Sequence, residues 1–201
     1  NLDPPRMSTS TTSRILSHMF DKLVFLNPDL EIVPWLAKSW EQRDDKTLVL
    51  HLRNDVTFHN GEKFDAEDVK FSLERFIDPK LSGKTRSKTL LKIGNFKSVE
   101  IIDDYTVAIK TKKPAPDLIA VLTRYEMMPK GYYSNTDLNT LITKPVGSGP
   151  YKIKSWVRDE KVVLEAFDNY WLGKPLVNQI IFKPIPEVGT RVSALLTGSA
   201  H

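Results

Sequence analysis

The sequence predicts a mixed α/β protein, and three observations carry that expectation. Apolar and polar residues alternate with the two-residue period of a half-buried strand, most plainly at Leu48, Leu50 and Leu52. Between such runs lie apolar stripes with helical spacing, as at Val69, Leu73 and Phe76. The two patterns interleave along 201 residues without strict β-α-β regularity, and no segment repeats.

Each element has its own justification. The polar stretch Ser8 to Ser13 runs into Ile15, Leu16, Met19, Phe20 and Leu23, which predicts a helix over about residues 11 to 23 with a Ser or Thr cap. Thr47 to Arg53 reads as a strand, and Asn60-Gly61 as a turn. Asp65 followed three residues later by Asp68 resembles a capping box, so residues 66 to 76 should form a helix that stops near Asp78-Pro79. Ser98 to Ile102 and Tyr105 to Thr111 flank Asp103-Asp104 as a hairpin, and Pro116 to Leu122 forms a short helix. Strands are expected at Tyr151 to Trp156, Lys161 to Phe167 and Gln179 to Pro184, then a helix over about Pro186 to Leu196 with Gly198 as its C-cap.

Composition removes several function classes. The longest apolar runs, such as Leu118 to Leu122, fall far short of the roughly 20 residues that span a bilayer, so no membrane span is expected. The net charge of +4 is spread along the chain, and its densest basic cluster, Lys80 to Lys92, also holds Leu81, Leu90 and Leu91. No nucleic-acid partner is expected from that pattern. With no cysteine, disulfides, thiolate metal sites and cysteine nucleophiles are excluded. The opening Asn1-Leu2-Asp3-Pro4-Pro5 has neither the basic start nor the apolar run of a secretory signal.

Catalytic signals are sparse. His18, His51, His59 and His201 show no helical i, i+4 metal pairing. His59 near Asp65 and Asp68 admits a metal-dependent hydrolase as an alternative, although a turn and a helix cap account for all three. Gly147-Ser148-Gly149-Pro150 precedes a strand and lacks the Lys-Ser/Thr of a phosphate cradle. No catalytic residue, metal or cofactor is expected. Trp35, Trp40, Trp156 and Trp171 stand near prolines or element ends, where amphipathic rings anchor layers or line clefts.

Taken together, several segments resemble the family 5 extracellular solute-binding proteins. The resemblance rests on Asn1-Leu2-Asp3-Pro4, on Ile32 to Glu41, on Lys46 to Arg53 and on Val56 to Val69. It continues through Gly147-Ser148-Gly149-Pro150-Tyr151, Asn169 to Pro175 and Thr190 to Gly198, in order and over essentially the whole chain. It implies a type II periplasmic-binding-protein-like first lobe, residues 1–43 and 144–201, with a small α+β domain, residues 44–143, inserted into it. It also implies that the second lobe is absent and that the chain is an N-terminal fragment of such a receptor. Gly198-Ser199-Ala200-His201 also stands where the family carries an acidic dipeptide. The implied function is the substrate-binding component of an ABC importer, outside the cytoplasmic membrane, that takes peptides or similar small polar solutes and hands them to permease subunits. A peptide-holding chaperone uses the same cleft and is the other alternative.

In the family two lobes close over the solute, which one open face cannot enclose. The resemblance places Met7, Ser8, Thr9, Ser10 and Thr12 on the cleft wall, in a loop leading to a helix N-terminus; plain capping is the competing reading. Arg124, Tyr125 and Glu126 match loosely a segment that faces the cleft in nickel-binding relatives, where an arginine stands near the position of Tyr125. Arg86 lies in another loop that approaches the ligand, and Ser148 and Gly149 mark the return to the first lobe. Without a leading strand, the first-lobe sheet is expected to associate through an exposed edge.

Overall fold

The computed structural model describes residues 1–7, 9–82 and 95–200. It contains three antiparallel sheets: β1 (Val24–Leu26) with β2 (Ile32–Pro34); β3 (Ala37–Asp44), β4 (Thr47–Leu52), β6 (Thr106–Thr111) and β5 (Phe96–Asp103) in that spatial order; and β7 (Tyr151–Val157), β8 (Lys161–Ala166) and β9 (Gln179–Phe182). The helices are α1 (Ser10–Met19), α2 (Ala66–Ile77), α3 (Pro79–Ser82), α4 (Leu118–Val121), α5 (Lys130–Asn135), α6 (Leu138–Thr143) and α7 (Val188–Leu196).

The helix expected to reach residue 23 ends at Met19, and Phe20 is already extended. Ending there lets Asp21 enter the interior and lets the Met19 carbonyl accept the Gly149 N–H at 2.9 Å. The expected alternation of β4 gives way to near-complete burial, because β4 is a central strand: Val49 stands in register between Glu41 and Ala108. α2 has the reciprocal Asp65/Asp68 capping box that the spacing predicted, and it buries Val69, Leu73 and Phe76. β3 pairs along its length with β4, so the four-stranded sheet starts at Ala37, ahead of the boundary expected at residue 44.

The β1–β2 hairpin and helices α5 and α6 were not legible in the sequence. The hairpin is closed by Asn27, whose side chain accepts the Glu31 N–H at 2.8 Å, and by Leu30 with a φ of 63°. α7 forms where expected, with Gly198 at a φ of 68° past its end, yet it buries no residue. Val188, Val192, Leu195 and Leu196 are 50–83% exposed, an apolar stripe turned to solvent.

Candidate functional site

The opening segment is fixed first. Asp3 and Arg75 are both buried and form a two-pronged pair, with Nη1 donating at 2.5 Å and Nη2 at 3.1 Å. The Arg75 guanidinium also lies 4.9 Å from the Tyr133 ring centroid, and the Leu2 N–H donates to the Ile142 carbonyl. This anchor holds the short 3-10 turn Pro4–Arg6 and delivers Thr9 to the start of α1, where its hydroxyl accepts the Thr12 N–H at 3.1 Å.

Thr9, the cap of α1, and Thr11, Thr12 and Ile15 within it form one wall of a cleft of about 460 Å³. β7 supplies Trp156, the β7–β8 turn Arg158, Asp159 and Glu160, β8 Lys161, and the end of β9 with the residue after it Phe182 and Lys183. Asp159, at the tip of that turn, has a φ of 59°, a left-handed backbone unusual for a residue other than glycine. The cleft therefore offers hydroxyls that donate and accept, charges of both signs, and apolar surface from Ile15 and Phe182. Such a lining suits a solute with both polar ends and an apolar body.

The residues expected to share one wall are divided. Thr9 and Thr12 line the cleft, Ser10 is the exposed first residue of α1, and Met7 is partly buried against the core. Arg124 is exposed, whereas Tyr125 is fully buried between the rings of Phe76 and Phe96, at 5.2 and 5.5 Å between centroids. Glu126 is buried and bridges to the backbone of Lys22. Ser148 and Gly149 lie at the opposite end of α1 from Thr9, in the interior. A Cβ on Gly147 or Gly149 would stand 2.1 or 2.6 Å from the Met19 backbone, so both glycines serve close packing. Ser8 and Arg86 lie outside the described residues.

Asp21 is the buried centre that sequence reasoning missed. One of its oxygens accepts the Trp35 indole at 2.8 Å and the Tyr170 hydroxyl at 3.3 Å; the other accepts the Ser148 hydroxyl at 3.0 Å and the Trp171 indole at 3.1 Å. Burial raises its pKa, and these four donors oppose the rise. Around it, Trp35 meets Trp171 edge-on at 5.2 Å, Phe25 stacks on Trp35 at 5.0 Å, and Arg53 lies 4.3 Å over Trp171. Its signal in the sequence was faint: the isolated Asp between Phe20 and Lys22.

The hydrolase constellation does not assemble. Both ring nitrogens of His59 are engaged by backbone groups of Gly149 and Gly147, and Asp65 and Asp68 are committed to the helix cap. Among the described residues no group of His, Asp or Glu is arranged to hold a metal ion. Asp68 has its own consequence. Burial, together with the Asp65 and Glu62 carboxylates, raises its pKa to about 7, while hydrogen bonds from the Lys130 and Asp65 N–H groups pull the other way. The folded chain holds this proton more tightly than the unfolded chain, so the contribution is stabilising at low pH and is lost as pH rises from about 4 through about 7. Scanning calorimetry from pH 4 to 8 is expected to show that slope in the difference between wild type and Asp68→Asn, where the contributions of all other titrating groups cancel. A slope unchanged in the variant would refute the assignment.

A family model described as bacterial extracellular solute-binding proteins, family 5 Middle, matches residues 31–201. The chain belongs to this family. It is 27% identical to the periplasmic oligopeptide-binding protein OppA of Escherichia coli over 217 residues, covering 98% of this chain and 40% of that protein. Among solved structures it is similar to NikZ from Campylobacter jejuni in complex with Ni(L-His), at 32% identity and a TM-score of 0.84, covering 97% of this chain and 39% of that one. It is likewise similar to the oligopeptide-binding protein AppA from Bacillus subtilis in complex with a nonapeptide, at 27% identity and a TM-score of 0.88, covering 99% and 40%. The fold is thus that of the type II periplasmic binding proteins, and the chain spans about 40% of the length of these relatives.

Proposed function

We propose that this chain is part of the substrate-binding component of an ABC importer, acting outside the cytoplasmic membrane and passing its solute to permease subunits. The observation that carries this reading is the cleft at the N-terminus of α1, on a fold that follows AppA at a TM-score of 0.88. Its role is capture and release, with no chemical turnover. Peptides or similar small polar solutes fit the lining best. The threonine hydroxyls and the mixed charges of Arg158, Glu160, Lys161 and Lys183 can meet both ends of a peptide, and Ile15 and Phe182 its side chains. In this reading the segments around 1–43 and 144–201 form one jaw and residues around 44–143, with β4 to β6 and α2 to α6, are inserted between them, β3 crossing the boundary to pair with β4. The test is native mass spectrometry of the full-length protein as purified, followed by calorimetry against short peptides. Peptide carried from the cell and bound with submicromolar affinity supports the proposal; a nickel chelate or haem as the sole tight ligand overturns the choice of solute.

We also propose that the 201-residue chain by itself associates through its open surfaces. β7 and β9 are the edges of their sheet, and the α7 stripe is apolar and exposed. Sedimentation velocity should show concentration-dependent association that Leu195→Asp weakens. A clean monomer at high concentration would defeat this.

A further inference from the structure

His59 joins two parts of the chain that are far apart in sequence. Its backbone N–H donates to the Gly147 carbonyl at 2.8 Å, its Nδ1 accepts the Gly147 N–H at 3.3 Å, and its Nε2 faces the Gly149 carbonyl at 3.0 Å. A single protonation state satisfies both ring contacts: Nε2 carries the proton and Nδ1 is bare. An imidazolium would turn an Nδ1–H against the Gly147 N–H, donor against donor. The loop cannot withdraw to relieve this, because Gly147 and Gly149 are pressed onto the Met19 backbone and the Gly149 N–H is bonded to the Met19 carbonyl at 2.9 Å.

The surroundings of the ring also disfavour a cation. Phe167 meets it edge-on at 5.0 Å. A cavity of about 370 Å³ opens beside it, lined by Lys152 and Lys154 of β7, Lys144 after α6 and Tyr132 of α5. Among the described residues no carboxylate lines that cavity, and the nearest compensation for its lysines is Glu165 of β8, 3.4 Å from Lys152 and 4.0 Å from Lys154. Burial lowers the His59 pKa to about 4, opposed by the hydrogen bond to the Gly149 carbonyl and aided by a smaller contribution from Lys152.

We propose that His59 is an acid-released latch: the neutral ring fastens the segment leading into α2 to the Gly147–Gly149 loop, and protonation lets it go. The sign follows from the direction of the shift. A histidine held neutral in the folded chain stabilises fully above its ordinary value of 6.5, and that contribution is lost as pH falls toward about 4. The fastened state then loses up to about 300-fold in its closing equilibrium, the tenfold-per-unit equivalent of that displacement.

The experiment compares wild type with His59→Gln and His59→Ala between pH 3.5 and 7. Glutamine can accept from Gly147 and donate to Gly149 without titrating, and alanine can do neither. Ring nitrogen shifts are expected to report the Nε2–H form at neutral pH. Protection of the Gly147 amide against hydrogen exchange, measured relative to amides of β4, should collapse as the ring protonates in wild type. It should persist in His59→Gln. In His59→Ala it should be low throughout, and should that variant fail to fold, the glutamine comparison decides alone. Gly147 protection that survives ring protonation, or that falls alike in wild type and His59→Gln, overturns the proposal.

Discussion

Replacing Arg75 with alanine is expected to lower the stability of the chain by about 3–5 kcal/mol, the range for breaking a buried ion pair by removing one partner. The cause is the carboxylate left behind. Asp3 has no exposed side-chain surface, and among the described residues its nearest other cation, the partly exposed Arg6, stands 3.9 Å away and makes no hydrogen bond to it. The variant also loses the guanidinium over Tyr133 and the contact with Met128 sulfur at 3.4 Å. Because Asp3 precedes the turn that delivers Thr9 to α1, the loss should loosen the cleft wall as well. Urea denaturation gives the measurement. The decisive comparison is Asp3→Ala with Arg75→Ala in one chain, which removes both charges and should cost clearly less than the sum of the two single changes. Additive losses would mean that the pair contributes nothing beyond its separate packing.

What the sequence made legible was local. The capping box at Asp65 and Asp68, the hairpin around Asp103-Asp104 and Gly198 after α7 are each set by a few neighbouring residues, and each formed where expected. Interactions between distant segments were not legible. Nothing near Asp3 announces Arg75, and nothing near His59 announces Gly147, because a periodic pattern tells which face is buried and not which group it meets. The same limit explains the candidate site. Thr9 and Thr12 were expected on the cleft wall through the family resemblance, and what their own neighbourhood made legible was the helix start that Thr9 caps. Tyr125, Ser148 and Gly149 lie inside because partners from other segments, Phe76 and Phe96 in one case and Met19 and Asp21 in the other, close over them.

Asp21→Ala is expected to be about as damaging as the loss of Arg75, for a different reason. Each buried donor left without an acceptor costs about 1–3 kcal/mol, and Asp21 serves four. Trp35, Tyr170 and Trp171 are only partly buried and can recruit water, so a net loss of about 3 kcal/mol is expected where full exposure of the deficit would give more. Asp21→Asn keeps one accepting oxygen and should lose less, although its amide turns toward the donors on one side. The urea midpoint and a red shift of tryptophan emission should rank alanine above asparagine in damage. Equal effects would mean that the pocket tolerates any small side chain there. The four donors come from Trp35, Ser148, Tyr170 and Trp171, which stand in three of the motifs through which the chain resembles its family. Those motifs therefore converge on one buried acceptor at the C-terminal end of α1, about 15 Å by helix rise from the threonines of the cleft. If the cleft binds solute as proposed, Asp21→Ala should cut stability while the molecules that remain folded keep their affinity. Thr9→Ala should do the reverse, costing only about 1 kcal/mol as a lost cap while changing the wall of the proposed binding cleft.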